Sequence, residues 1–442
     1  MGSVIKYLLG LKDPSLVANF QKFCQIEILP GTESEKKDSE SDYLSSSSHD
    51  SHVPNGDLHQ RLAKTNGFVQ NNSNGVINNE HCSQNGSIHS NNVDHLENVQ
   101  KDCIQSEDKQ ETKYIVHSKF LYWTFRLGAG FGNEFFYLTF FTFCLWNLNS
   151  LVMRQMVIIW HAGMYLGQAA KDIIEWPRPS SPPCARLENR YLEEYGMPST
   201  HATVGVIIPF GLIIIGHRHY EFDFPLPLIV AFFWATVCGL SRIYLGMHSV
   251  LDVIVGAAIG IILIPLMLPY VEALDNFQVT SMYSPLVVVG GEIFLLYIYP
   301  NATIWNTAKG DTATVVGIGA GIAVATWLNY QLGFMIPSEV AKPYHIPSLF
   351  TLISMIPLAE VRHLIGILVL VITRAVAKPV THKLFCLYYN VDSKDEETQR
   401  KIGMEKPQKF VAYFCVGFAA IFIVPNLLRP LGLMRMSFYT EM

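Results

Sequence analysis

Lys171 and Arg178 stand in the stretch "KDIIEWPRPSSPP", directly after a long apolar run, with Arg178 held between Pro177 and Pro179. A second polar cluster, "YGMPSTHA", places Pro198, Ser199, Thr200 and His201 just ahead of the next apolar segment. A third, "SRIYLGMHSVLD", carries Ser241, Arg242, His248 and Asp252 across the junction of two later segments. Taken one at a time, the cations read as anchors at the flanks of membrane segments, and each histidine as an interfacial side chain with a backbone partner. Asp252 resists that reading. It follows His248 by one helical turn inside an otherwise apolar span, and a carboxylate there needs a partner, of which His248 is the nearest.

Together the clusters suit one kind of chemistry. Two arginines and a lysine, away from any Asp/Glu group suited to magnesium, fit a tetrahedral oxyanion handled without metal: arginine offers a planar fork of donors and lysine a point charge. Ser199 or Thr200 is placed to cap the following helix, whose free N–H groups form an anion site. With Asp252 accepting from Nδ1 of His248, Nε2 is presented as a nucleophile, and His201 remains as the general acid. The expectation is metal-free phosphoryl transfer through a phosphohistidine, with no cofactor.

The elements that must position these residues are membrane helices. Half of the 442 residues are hydrophobic and only 16% are charged, against about 25% in a soluble domain. From Phe120 onward the apolar residues gather into runs that approach the ~20 needed to cross a bilayer. The pattern predicts an all-α polytopic membrane protein of about nine transmembrane helices, near 119–147, 152–170, 202–216, 225–240, 249–269, 284–300, 312–332, 347–373 and 409–428. The 347–373 segment contains Glu360, Arg362 and His363, which either face the bundle interior or mark a break. Counting crossings puts the three clusters on one side of the membrane.

The net charge of −5, without a basic stripe, implies no nucleic-acid partner. Eight scattered cysteines suggest neither a zinc site nor a disulfide framework. Four regions are expected: an amphipathic amino-terminal segment (1–30) whose second helix is capped by Asp13 and begins at Pro14; a disordered polar segment (31–112), too poor in apolar residues to fold; a core carrying the three clusters (113–275); and additional membrane helices with a short tail (276–442).

In order and spacing the clusters resemble the type 2 phosphatidic acid phosphatase superfamily, whose pattern is K-x6-R-P (here Lys171–Pro179), P-S-G-H (here Pro198–His201) and S-R-x5-H-x3-D (here Ser241–Asp252). Thr200 departs from the glycine usual at its position, and a β-branched residue there restricts backbone approach to phosphate. "AKDIIEWPRPSSPP", "EYGMPSTHA", "LSRIYLGMHSVLD" and the amino-terminal "LKDPSLVANFQKFC" further resemble the sphingosine-1-phosphate phosphatase subfamily. The resemblance implies a lipid phosphate substrate, residence in the endoplasmic reticulum membrane and a lumenal active site. It also implies His248 as nucleophile, Asp252 as its orienting partner and His201 as acid and later base. Lys171, Arg178, Ser199, Thr200 and Arg242 would hold phosphate. Alternatives are a broad lipid phosphate or sugar-phosphate phosphatase and, from another class, a non-catalytic anion transporter, which would need no oriented histidines.

Two features pull against each other on sidedness. Sequons at Asn71, Asn85 and Asn301 fall on the active-site face, in keeping with a lumenal site. The loop 374–409 falls there too, yet its lysines and arginines favour the cytosol unless 347–373 crosses twice. Asp172 and Glu175 are candidates to recognise a sphingoid ammonium.

Overall fold

The computed structural model describes residues 6, 9–29, 113–336, 343–346, 348–401 and 403–441. The polar segment 31–112, with Asn71 and Asn85, lies outside the described residues, as does most of the first amphipathic helix. The second is present as α1 (Pro14–Phe23): Asp13 accepts from the Ser15 N–H at 2.8 Å and Pro14 occupies the first turn. β1 (Ile26–Ile28) pairs antiparallel with β2 (Tyr114–Val116), so the two ends of the intervening segment meet at one place.

The membrane part is helical. α2 (Lys119–Gly130) and α3 (Glu134–Asn147) precede α4 (Ser150–Ile174). α5 (Thr200–His219), α6 (Pro225–Tyr244) and α7 (Val250–Thr280) follow, then α8 (Ser284–Ile298), α9 (Ala308–Gln331), α10 (Leu349–Tyr389) and α11 (Glu405–Phe418), the last extended by a π-helical turn, Ala419–Ile423. Six of the described helices are long and apolar enough to cross a membrane: α5, α6, α7, α9, α10 and α11 with its extension.

α5 sits at the centre and packs against α4, α6 and α7. Its contact with α7 is set by small residues. A Cβ at Gly256 would come within 2.3 Å of the Ser199 carbonyl oxygen, and one at Gly260 within 2.9 Å of that of Thr203. Between helices that both bury apolar faces, such backbone approach is what small residues permit. Thr203 adds an interhelical hydrogen bond by donating to the Gly256 carbonyl at 2.9 Å. α9 and α11 are joined the same way, with Gly317 against the Phe410 carbonyl, Gly321 against that of Phe414, and Gly417 against that of Ile318.

α10 is one continuous helix, about 62 Å long at 1.5 Å per residue, so 349–389 does not cross twice. The charges at 360–363 mark no break. Arg362 is buried, donating to the Leu433 carbonyl at 2.7 Å and to the Asn147 side chain. His363 lies against Phe143 and Trp146, while Glu360 is exposed. At the same end of the bundle Arg154 makes a buried ion pair with Asp275 and donates to the carbonyl of Glu441, which draws the tail under α4. The loop beyond α10 lies at the other end, where Arg400 covers the Trp305 ring at 4.3 Å and Lys409 reaches Asp311 at the start of α9.

Candidate active site

At that second end, the end of α4, the start of α5 and the end of α6 converge with the loops 175–199 and 245–249. Lys171, Arg178, Thr200, His201, Arg242 and His248 line one cavity of about 390 Å³. Ser199 and Asp252 stand behind its wall. Ser199 caps α5, its Oγ accepting from the Ala202 N–H at 3.4 Å, and its own N–H donates to the Asp252 carbonyl at 3.0 Å. Asp252 closes a reciprocal cap on α7: its Oδ2 accepts from the Ser249 N–H at 2.7 Å while its N–H donates to Ser249 Oγ. These caps satisfy helix N–H groups that would otherwise be buried without partners.

The orientation of His248 differs from the expectation. Its Nδ1 lies 2.7 Å from the Gly196 carbonyl and 3.8 Å from Asp252 Oδ2, too far for a hydrogen bond. A carbonyl can only accept, so Nδ1 carries the proton and Nε2 keeps its lone pair. Nε2 faces the Arg178 Nη1–H donor at 3.3 Å. Burial first, and then the charges of Arg178, Arg242 and Lys171, hold His248 well below the usual histidine range, so it is neutral at pH 7. Asp252 contributes the nearby negative charge and the loop geometry; Gly196 supplies the hydrogen bond. Gly196 has little room for a side chain, since a Cβ would meet the Pro177 carbonyl oxygen at 3.1 Å and Asp252 Oδ2 at 3.2 Å.

Each cation is held by the loop between the first two clusters. Lys171 Nζ is 2.6 Å from Glu194 Oε2, with both side chains buried, and 3.4 Å from Thr200 Oγ1. Arg178 donates to the carbonyls of Glu194 (2.9 Å) and Met247 (2.8 Å). Arg242 donates to Glu188 Oε2 at 2.9 Å, while its buried Nε has no hydrogen-bond partner among the described residues. Burial alone would raise the Glu194 carboxyl, but Lys171 and Arg178 outweigh it and hold the group below the usual carboxylate range. Burial lowers Arg178 to about 10, which leaves it charged at neutral pH.

His201 sits in the first turn of α5, with Nε2 3.4 Å from Asn133 Oδ1 and the Tyr191 ring at its edge. Gly132 makes the space for it, since a Cβ there would meet the imidazole at 2.1 Å. Thr200, the departure from the usual glycine, finds its room opposite Gly167 of α4.

Glu188, Glu194, Gly196 and Asn133 were not singled out from the sequence. The acidic run "LENRYLEEYG" between the clusters was the available signal for the two glutamates. Asp172 and Glu175, expected to face an ammonium, are committed elsewhere. Asp172 accepts from Tyr299 (3.0 Å) and Asn306 (2.8 Å), and Glu175 from Thr303. The carboxylates that line the cavity are Glu134, Glu194 and Asp311.

Residues 151–275 match the family model described as the PAP2 superfamily. The chain is 39% identical over 315 residues to "Sphingosine-1-phosphate phosphatase 1" of Rattus norvegicus, covering 71% of this chain and 73% of the relative. It is 37% identical over 323 residues to "Sphingosine-1-phosphate phosphatase 2" of Homo sapiens, covering 73% and 80%. It is 27% identical over 217 residues to "Dihydrosphingosine 1-phosphate phosphatase YSR3" of Saccharomyces cerevisiae, covering 48% and 54%. No solved structure matches the chain.

Proposed function

The chain belongs to the sphingosine-1-phosphate phosphatase family of the PAP2 superfamily, and from that membership we propose that it hydrolyses sphingosine-1-phosphate and related sphingoid base phosphates without metal, through a phosphohistidine on His248. It is a membrane phosphatase, a phosphoric monoester hydrolase. The observation that carries the mechanism is the tautomer of His248: Gly196 accepts the Nδ1 proton, and Nε2 is left as a lone pair on the cavity wall beside Arg178.

In the first step Nε2 attacks phosphorus in line with the ester oxygen. The N–P bond forms, the P–O bond to the lipid breaks, and the leaving oxygen takes a proton from His201. In the second, water gives a proton to the now neutral His201 and attacks phosphorus. The N–P bond breaks and inorganic phosphate leaves. Lys171, Arg178 and Arg242, with the N–H groups at the start of α5 framed by Ser199 and Thr200, spread positive charge around the equatorial oxygens, as a loose phosphoryl transition state requires. The partnerless Arg242 Nε is one donor suited to them. Asp252 holds the His248 loop through its cap and adds negative charge that favours the imidazolium.

The same reading takes the protein as crossing the endoplasmic reticulum membrane nine times, with α2 and α3 as one crossing and the active site lumenal. The contacts that tie the loop after α10 to the start of α9 support the crossing count, because that loop and the site share one end of the bundle.

The test is phosphate release in detergent with EDTA present, comparing wild type with His248→Ala on sphingosine-1-phosphate, phosphatidate and glucose-6-phosphate. Chelator-resistant release, greatest for sphingosine-1-phosphate and lost in the variant, is expected. Equal release from both lipids would remove the sphingoid assignment. No release by folded wild-type protein would remove the enzyme reading.

A further inference from the structure

The catalytic cavity does not end at the phosphate groups. Along α4 its wall continues from Lys171 through Gln168, Met164, Trp160 and Val157 to Met153, a helical stripe covering about 27 Å of axis, close to the ~30 Å of a bilayer's hydrocarbon core. α3 faces it with Leu138, Phe141 and Leu145, and α9 with Val315, Ile318 and Ile322. Leu370 of α10 and Val416 of α11 close the remaining side. Below the catalytic end the wall is nearly all apolar, and Arg154, in its ion pair with Asp275, forms the floor. α9, α10 and α11 all lie outside the residues matched by the family model.

Building on the proposed activity, we infer that this closed-bottomed shaft holds the alkyl chain of the substrate and sets its number and length, with α9, α10 and α11 supplying the wall that the phosphatase core lacks. The wall follows a single stripe of α4 from the phosphate groups to Arg154, a course that suits one extended chain. The substrate's tail is already in hydrocarbon before it binds, so the shaft gains little from dehydration. It selects by shape: a chain that fits lets the phosphate reach His248, and a chain that meets the Arg154 floor, or needs a second shaft, does not.

The experiment measures kcat/KM for sphingoid base phosphates of eight, eighteen and twenty-four carbons in mixed micelles at one surface concentration. Wild type, Ile318→Trp on α9 and Val157→Phe on α4 are compared. In wild type the twenty-four-carbon substrate is expected to fall about tenfold or more below the eighteen-carbon one. In each variant the ratio of eighteen-carbon to eight-carbon activity is expected to drop by about tenfold or more, with the eight-carbon rate kept within about threefold. Val157→Phe covers the case in which Ile318→Trp does not fold. Equal wild-type rates for eighteen and twenty-four carbons, or an unchanged ratio in a variant that retains short-chain activity, would overturn the inference. Failure of wild type to hydrolyse any sphingoid phosphate would instead remove the proposed activity, so the two failures are separable.

Discussion

His248 concentrates the chemistry in one imidazole whose two nitrogens have different neighbours. Nδ1 faces an obligate acceptor and Nε2 faces a cationic donor, so a single tautomer is favoured without a direct carboxylate partner. The surroundings that hold its pKa down have a pH consequence. In the proposed mechanism the neutral form is the nucleophile, so activity is lost as pH falls through the lowered value, and the acidic limb of kcat/KM belongs below the ordinary histidine value of about 6.5. The same sign applies to stability. Below about pH 6.5 the unfolded chain binds a proton that folded His248 refuses, so stability is lost as pH falls toward the folded pKa. A pH–rate profile with its acidic limb above 6.5 would contradict this environment. At this scale the sequence was informative about the side chains that gather in the cavity and uninformative about their partners. The three clusters identified the six side chains that meet in the cavity. Glu188, Glu194 and Gly196 depend on the path of the loop between the clusters, which no local spacing encodes.

Among the elements, the approach of α5 to α7 fixes the site. The start of α5 carries Thr200 and His201, and Ser199 just ahead of it is held against α7 by the missing side chain at Gly256. Gly256→Ala must push a Cβ against a backbone oxygen now 2.3 Å from its position, and neither helix can yield locally. The expected result is a loss of about 1–3 kcal/mol of stability and about a hundredfold in kcat, since a displacement near 1 Å at the reacting groups costs about that much. Thermal unfolding and steady-state kinetics on the purified variant would check it, and an unchanged kcat would show that the α5–α7 spacing does not position the site. Apolar runs in the sequence foretold where these helices lie. They were silent on which glycines make contact, because a small residue in an apolar segment reads the same whether it faces lipid or another backbone. The charges at Glu360, Arg362 and His363 left a break or an interior face equally open, and Arg362 resolves it by reaching Asn147 and the Leu433 carbonyl from an unbroken helix.

For the whole molecule, the question is which side of the membrane holds the site. α10 runs unbroken from the Arg362 end to the catalytic end, so the basic 390–404 loop and the 299–307 loop bearing Asn301 share the active-site face. Charge statistics favour the cytosol for such a loop, and the packing of Arg400 on Trp305 ties it to the site, so both lie on one side. In a microsomal glycosylation assay, Asn301 and a sequon introduced near residue 395 should behave alike, both modified when the face is lumenal. Modification of one without the other would contradict the shared face. Hydropathy led to an expectation of about nine passes, against six described helices long and apolar enough to cross, and could not reveal that the helices beyond the phosphatase core wall off the cavity.

The central claim is that phosphate passes through His248 on its way to water, and the stereochemical course at phosphorus tests it most directly. Each in-line displacement inverts the configuration, so a sphingosine-1-phosphorothioate made chiral at phosphorus with two oxygen isotopes, hydrolysed in water of the third, should give chiral inorganic thiophosphate with net retention, whichever step limits the rate. Net inversion would mean a single attack by water, and His248 would then not be the nucleophile.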